Sequence, residues 1–142
     1  MKEYSIYRLI KSEDLNHHGT LFAGRAAEWF VESSFIAASG AVNSPENIVC
    51  VNIHGMRFKT AVKKGEIIHL ESKIAHLGIT SITVYTKIHS VSNEKFYPID
   101  GFITFVHVDL NGEKIPHNLK LDDPIDGFEN NIRNRAMELF KK

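Results

Sequence analysis

Between Leu21 and about Ala38 the chain carries one long run with helical periodicity, and most of the apolar sequence around it alternates as strands do. On a wheel of about 100° per residue, Phe22, Ala26, Trp29, Phe30, Ser33, Ile36 and Ala37 share one broad face. Arg25, Glu28 and Glu32 form a narrow charged edge beside it, and the remaining arc carries the small residues Gly24, Ala27, Ser34 and Ala38 together with Val31. Such a helix is expected to be mostly buried, with a sheet lying close against it. Ser39-Gly40 offers a place for it to end.

The strand signals are at 3–10, 48–58, 66–76, 81–91 and 101–109. Ile82, Val84, Thr86 and Ile88 alternate with Ser81, Thr83, Tyr85 and Lys87, and Phe102, Thr104, Val106 and Val108 with Ile103, Phe105 and His107. The connectors Leu77-Gly78-Ile79-Thr80, Ser92-Asn93-Glu94-Lys95 and Asn111-Gly112 are short and rich in turn residues, which predicts antiparallel pairing. Residues 127–142 read as a C-terminal helix with Ile132, Ala136, Leu139 and Phe140 as its apolar stripe. The class is therefore α+β, one antiparallel sheet of five to six strands wrapped around a long central helix. One helix covers only part of such a sheet and leaves an edge strand unpaired, so a homodimer or higher homo-oligomer (a tetramer or hexamer) is expected.

With 142 residues, no internal repeat and no linker-like tract, the chain reads as a single domain over 1–142. Lys plus Arg and Asp plus Glu both number 17, so no overall field points to nucleic acid or an anionic membrane. The lone Cys50 excludes an internal disulfide and fits a reducing compartment. The start, MKEYSIYRLI, lacks the apolar core of a signal peptide, and Arg25, Glu28 and Glu32 interrupt the richest apolar segment. A cytoplasmic location is expected. The histidines His54, His69, His76, His89 and His107 show no ligand spacing, so no metal site is expected, and the G-x-S-x-G signature of a serine nucleophile is absent.

Four segments, in order, carry a resemblance. Residues 16–24 (NHHGTLFAG) are similar to N-x-x-G-x-x-F-G-G, 58–66 (FKTAVKKGE) to F-x-x-P-V-x-x-G-D, 78–81 (GITS) to G-x-T-S, and 104–112 (TFVHVDLNG) to T-F-V-x-V-D…G. Over roughly residues 10–118 the chain thus resembles the acyl-CoA thioesterases of the hotdog superfamily. Among the departures from the pattern, Ala23 replaces a glycine, Ala61 replaces the turn proline, and Val31 stands where the family's helix carries an aspartate.

The resemblance implies an acyl-CoA substrate, hydrolysis of its thioester, no cofactor and an oligomer. It places the polarising backbone N–H groups at Ala23 and Gly24, where unpaired amides and the helix dipole favour a developing oxyanion. Asn16 matches the family's loop residue, whose amide orients a water or holds the carbonyl; otherwise it is a turn residue. His18, at an Asn-x-His spacing similar to that of plant acyl-ACP thioesterases, is a candidate general base. Glu32 is the carboxylate nearest Val31. One residue along a helix is a rotation of about 100°, so it cannot simply replace an aspartate at 31, but in a dimer its edge could face the neighbouring subunit's ligand. Arg57, Lys59, Lys63 and Lys64 suit the phosphates of coenzyme A, and Thr80 and Ser81 the pantetheine arm. The alternative is a non-catalytic acyl-CoA binding or sensing protein that lost the helix carboxylate. A hydratase is disfavoured because no histidine lies between Gly19 and Asn52.

Overall fold

In the computed structural model of the chain, residues 2–93 and 98–141 are described. Glu94 and Lys95 of the predicted connector, and Lys142 of the predicted C-terminal helix, lie outside the described residues. Five strands, β1 (Tyr4–Leu9), β2 (Ile48–Phe58), β3 (Ile67–Leu77), β4 (Ser81–Ser90) and β5 (Ile99–His107), form one sheet in the order β1-β3-β4-β5-β2. All four pairings are antiparallel. The helix α1 (Ala23–Val42) lies on one face, and α2 (Gly127–Glu138) packs Ile132 and Ala136 against Ala75, Tyr85 and Phe102 on the other. This is the hotdog arrangement.

The period-2 pattern of the strands decides which residues meet α1. Ile68, Leu70 and Ile74 of β3, Ile82, Val84 and Ile88 of β4, and Ile103 and Phe105 of β5 form one cluster with Ala26, Trp29, Phe30, Ala37 and Ala38. Full burial of each large side chain contributes about 1.5–3 kcal/mol relative to exposure. Of the small arc of α1 only Ser34 and Ala38 are buried, Gly24 being exposed and Ala27 and Val31 half-buried; the sheet meets the helix along Ala26, Phe30, Ser33, Ser34 and Ala37. There Ser33 Oγ meets Ser72 Oγ at 2.8 Å, Ser72 Oγ meets Thr86 Oγ1 at 2.6 Å, and Ser34 Oγ meets Thr86 Oγ1 at 2.8 Å. The chain of hydroxyls satisfies four buried polar side chains at once, which an apolar interior requires. Gly101 of β5 sits where a Cβ would collide with the carbonyl oxygen of Gly55 and approach the Phe30 ring at 2.9 Å.

Several expectations are corrected in detail. The helix starts at Ala23 rather than Leu21, because Leu21 is held in a bridge with Leu15, with its N–H on Val62 O at 2.8 Å, and Phe22 is still extended. It runs through Ser39-Gly40 to Val42 and stops at Asn43, which is left-handed at φ 57°. Ser39 Oγ is satisfied within the helix by Phe35 O at 2.8 Å, and Gly40 leaves room for the Tyr4 ring of β1. Phe22 and Ile36, expected on the buried face, are 55% and 39% exposed. The helix α2 is shorter than expected, ending at Glu138 and leaving Leu139 and Phe140 half-exposed. Its start is capped by Asp126, whose carboxylate accepts from Glu129 N–H at 2.8 Å.

Candidate active site

The loop before α1 is tied at several points. Leu15 and Leu21 form an isolated bridge, Asn16 N–H donates to Thr20 O at 2.8 Å, and Gly19 takes the positive φ of 79° that the turn demands. Inside it, Asn16 Oδ1 accepts from His18 N–H (2.9 Å) and Thr20 N–H (3.2 Å), and Asn16 Nδ2 donates to Thr20 Oγ1 at 3.1 Å. Asn16 therefore shapes the loop that delivers the chain to the helix, whatever else it does. Asn16→Asp keeps an acceptor for both amides and replaces the donor by a charged oxygen. If the amide also donates to a substrate or water, turnover should fall by roughly 10²-fold with the melting temperature held. Wild-type turnover in that variant would leave Asn16 a loop residue only.

Asp14, which the sequence analysis did not single out, anchors the same region. It is buried, its Oδ2 accepts from Lys11 N–H at 2.9 Å, its Oδ1 lies 3.4 Å from Arg25 Nε, and its backbone O accepts from Phe22 N–H at 2.9 Å. A carboxylate three residues after the start of a turn was the available signal.

The first turn of α1 is bare. Its N-cap is Phe22, whose side chain cannot cap, and among the described residues no acceptor faces the N–H of Ala23 or Gly24. Both residues are exposed. Thr20 bridges Lys63 and Leu21 N–H reaches Val62 O, so the 63–66 turn lies beside this helix start. Lys63 and Lys64 line a groove of about 590 Å³ with Ser90 and Ser92. Lys59 follows β2 at the same end of the sheet, its N–H donating to Pro98 O at 2.6 Å. Thr80 and Ser81 lie at the opposite end, where His107 N–H donates to Thr80 O at 2.8 Å. The intervening β3 is eleven residues, roughly 35 Å, long, so one subunit does not bring the two groups together.

His18 is exposed, its ring 3.9 Å from that of His17. Glu32 is half exposed and pairs with Arg8, Nη2 to Oε1 2.8 Å, while the Arg8 guanidinium lies over the Trp29 ring at 5.4 Å. Glu28, Glu32, Arg25, Asp14 and Trp29 line a groove of about 560 Å³ between α1 and β1. Along the helix axis Glu32 is about 12 Å from Gly24.

Arg57 has a partner within the fold. Its Nε and Nη2 approach the two carboxylate oxygens of Asp100 at 3.2 and 3.3 Å, and Asp100 Oδ2 also accepts from Tyr85 OH at 2.8 Å and lies 3.4 Å from Arg135. Asp100 is fully buried. Burial pushes its pKa up, but the Arg57 and Tyr85 hydrogen bonds and the two guanidinium charges more than offset this and hold it below the usual value. Asp100→Ala should cost about 1–3 kcal/mol, because it removes an acceptor of the buried Tyr85 hydroxyl, while Arg57, 61% exposed, keeps its access to water. The wild-type contribution is complete above the unfolded aspartate value of about 3.9 and is lost as pH falls through the lower folded value. Chemical denaturation from pH 7 to pH 2 checks both statements, since Asp100→Ala should flatten the acid limb.

The sequence model of the Thioesterase superfamily matches residues 18–96, more than half of the chain. The chain belongs to the thioesterase superfamily. This superfamily member is 27% identical over 106 residues to the uncharacterized acyl-CoA thioester hydrolase YkhA of Bacillus subtilis (strain 168), a match covering 72% of the chain and 60% of that protein. It is also similar to the structure of an apo-hexameric acyl-CoA thioesterase, at 28% identity and a TM-score of 0.84, covering 96% of this chain and 86% of that one. An acyl-CoA hydrolase of Bacillus cereus superposes with a TM-score of 0.86 at 24% identity, covering 96% and 83% of the two chains, a likeness of fold.

Proposed function

We propose that this superfamily member hydrolyses the thioester of an acyl-CoA to the free acid and coenzyme A, acting as a cytoplasmic homo-oligomer built from single domains spanning 1–142. The observation that carries the reading is the bare, exposed start of α1 in a chain of this superfamily. A thioester carbonyl seated there accepts from Ala23 or Gly24 N–H, and the helix dipole stabilises the oxyanion that forms as water attacks. Asn16 orients the water or the carbonyl, and Glu32, or His18, takes the water's proton. The Lys59, Lys63 and Lys64 ammonium groups, with Arg57, attract the coenzyme A phosphates. No cofactor is needed, because water is the only co-reactant.

The geometry of one subunit supports the oligomer. Glu32, about 12 Å along the helix from Gly24, cannot serve a carbonyl at its own helix start, and Thr80 and Ser81 are farther still. A second copy can supply them. The sheet leaves β2 at an edge, with Val49, Val51 and Ile53 exposed and backbone groups open to pairing. The relative of known structure described as hexameric agrees with an assembly larger than a dimer. Net charge zero argues against nucleic acid as a partner, and among the described residues no helix is long and apolar enough to cross a membrane.

The test is release of free thiol from acyl-CoAs of graded length, acetyl to palmitoyl. Turnover above background with at least one is expected, and none with any would overturn the proposal. Ile53→Lys, a charge on the open edge, should shift the protein toward a species of about 16 kDa in sedimentation and abolish turnover with it. A fully active monomer would contradict the shared site.

A further inference from the structure

On the sheet face opposite α1, strand register brings together three residues far apart in sequence. His69 and His89 are directly paired across β3 and β4, and Glu71 follows two residues after His69 on the same face. Glu71 Oε1 lies 3.1 Å from His69 Nδ1 and 3.0 Å from His89 Nε2, and one ligand atom from each of the three falls within 4.8 Å of the others. We propose that His69 Nδ1, His89 Nε2 and the Glu71 carboxylate bind a divalent transition-metal ion of the zinc type. The site is separate from the thioesterase machinery and its argument is independent of it.

The donor set is two imidazoles and one carboxylate, with a fourth position left for water. Donors roughly 2.0–2.1 Å from a shared tetrahedral ion stand roughly 3.3 Å apart, close to the two separations from Glu71 Oε1, while the two imidazole nitrogens lie within 4.8 Å of each other and close in on a shared ion. The outer partners match the same assignment. His89 Nδ1 faces Ser90 O at 3.3 Å, and His69 Nε2 meets Ser5 Oγ at 2.8 Å, so in each ring the second nitrogen is the one held by the protein. The His69 ring is further fixed by stacking on Tyr7, centroids 4.3 Å apart and planes 9° from parallel.

His89 is placed to offer Nε2 to a cation. Both its nitrogens face oxygens, a carbonyl on one side and a carboxylate on the other. A neutral imidazole has one N–H, so the other nitrogen would turn its lone pair toward an acceptor. A proton on Nε2 serves the shorter contact, to Glu71 Oε1, whereas a metal ion at Nε2 leaves the one proton on Nδ1, facing Ser90 O. Lys87 Nζ, 3.5 Å from Glu71 Oε2, neutralises the second oxygen and opposes an added cation. Glu71 and Lys87 border a cavity of about 120 Å³ beside the start of α2, which gives an ion and its water a way in.

The test is Zn²⁺ and Co²⁺ titration of the chelator-stripped, full-length oligomer, in a chain carrying His17→Asn and His18→Asn so that the adjacent exposed pair holds no ion. One equivalent per chain with micromolar or tighter affinity, a Co²⁺ spectrum of low coordination number, and a melting temperature raised by Zn²⁺ are expected. His89→Gln and Glu71→Gln should each weaken binding by at least about 100-fold. Lys87→Met, which removes the opposing charge without touching a ligand, should tighten it. Absence of saturable binding at millimolar Zn²⁺ overturns the proposal, as does binding that Glu71→Gln leaves unchanged. Should His89→Gln fail to fold, Glu71→Gln and Lys87→Met decide the matter.

Discussion

Glu32→Gln should lower turnover on the best acyl-CoA by roughly 10²–10⁴-fold, the usual contribution of a positioned general base, with assembly and substrate binding intact. The fold should not notice the change. The pair it breaks, Arg8–Glu32, is exposed on both sides and is worth about 0–1 kcal/mol. Arg8→Met separates the two roles, since it breaks the same pair but keeps the carboxylate; it should cost far less activity than Glu32→Gln. Val31→Asp should be harmful, because Val31 packs against the helix-side cluster and a carboxylate there costs several kcal/mol unless it is protonated or paired. A chain that binds acyl-CoA but lost its catalyst would behave in the opposite way, with Glu32→Gln silent and Val31→Asp creating activity. Steady-state rates for the three variants distinguish the outcomes, and an unchanged Glu32→Gln rate rules out Glu32 as the base.

Proline at the start of α1 should cost nearly as much. Ala23 is the first helical residue, where proline's fixed φ suits the helix and its missing N–H breaks no intrahelical bond. Phe22 before it has φ −65° and ψ 129°, a conformation that the residue preceding a proline accepts. Ala23→Pro thus deletes one candidate oxyanion donor at small cost in stability. Gly24→Pro deletes the other, although the Phe22 ring, 2.6 Å from where a Cβ would sit, must swing aside. At least one of the two should lose about 10²–10³-fold in kcat with KM little changed. If both retain the wild-type rate with normal melting curves, the helix start does not hold the carbonyl.

Much of the fold was legible along the chain because its signals are periodic and local. The strands at 48–58 and 81–90 and the hairpin between β3 and β4 follow from β-branched composition, alternation and turn residues. The helix boundaries were less so. Gly40 resembles a stop signal, but it is there to admit the Tyr4 ring, a contact made by a residue 36 positions away. Phe22 looks like a core residue on a helical wheel, yet it lies before the helix, where the wheel does not apply.

The candidate site divides in the same way. Asn16, Ala23 and Gly24 could be named from sequence through the resemblance of residues 16–24 to the helix entry of acyl-CoA thioesterases, a motif that transfers because the loop and the helix it feeds are contiguous. Asp100 with Arg57, Tyr85 and Arg135, and His69 with Glu71 and His89, could not. Scattered histidines gave no ligand spacing because a cross-strand pair is set by register, and register depends on which face is buried, not on separation along the chain. The sequence by itself therefore determined the elements, their order and which residues stand at the helix start. Only the tertiary structure decided which distant charges meet, because the free energy of burying Asp100 or His89 is settled by partners that the folded sheet alone brings within reach.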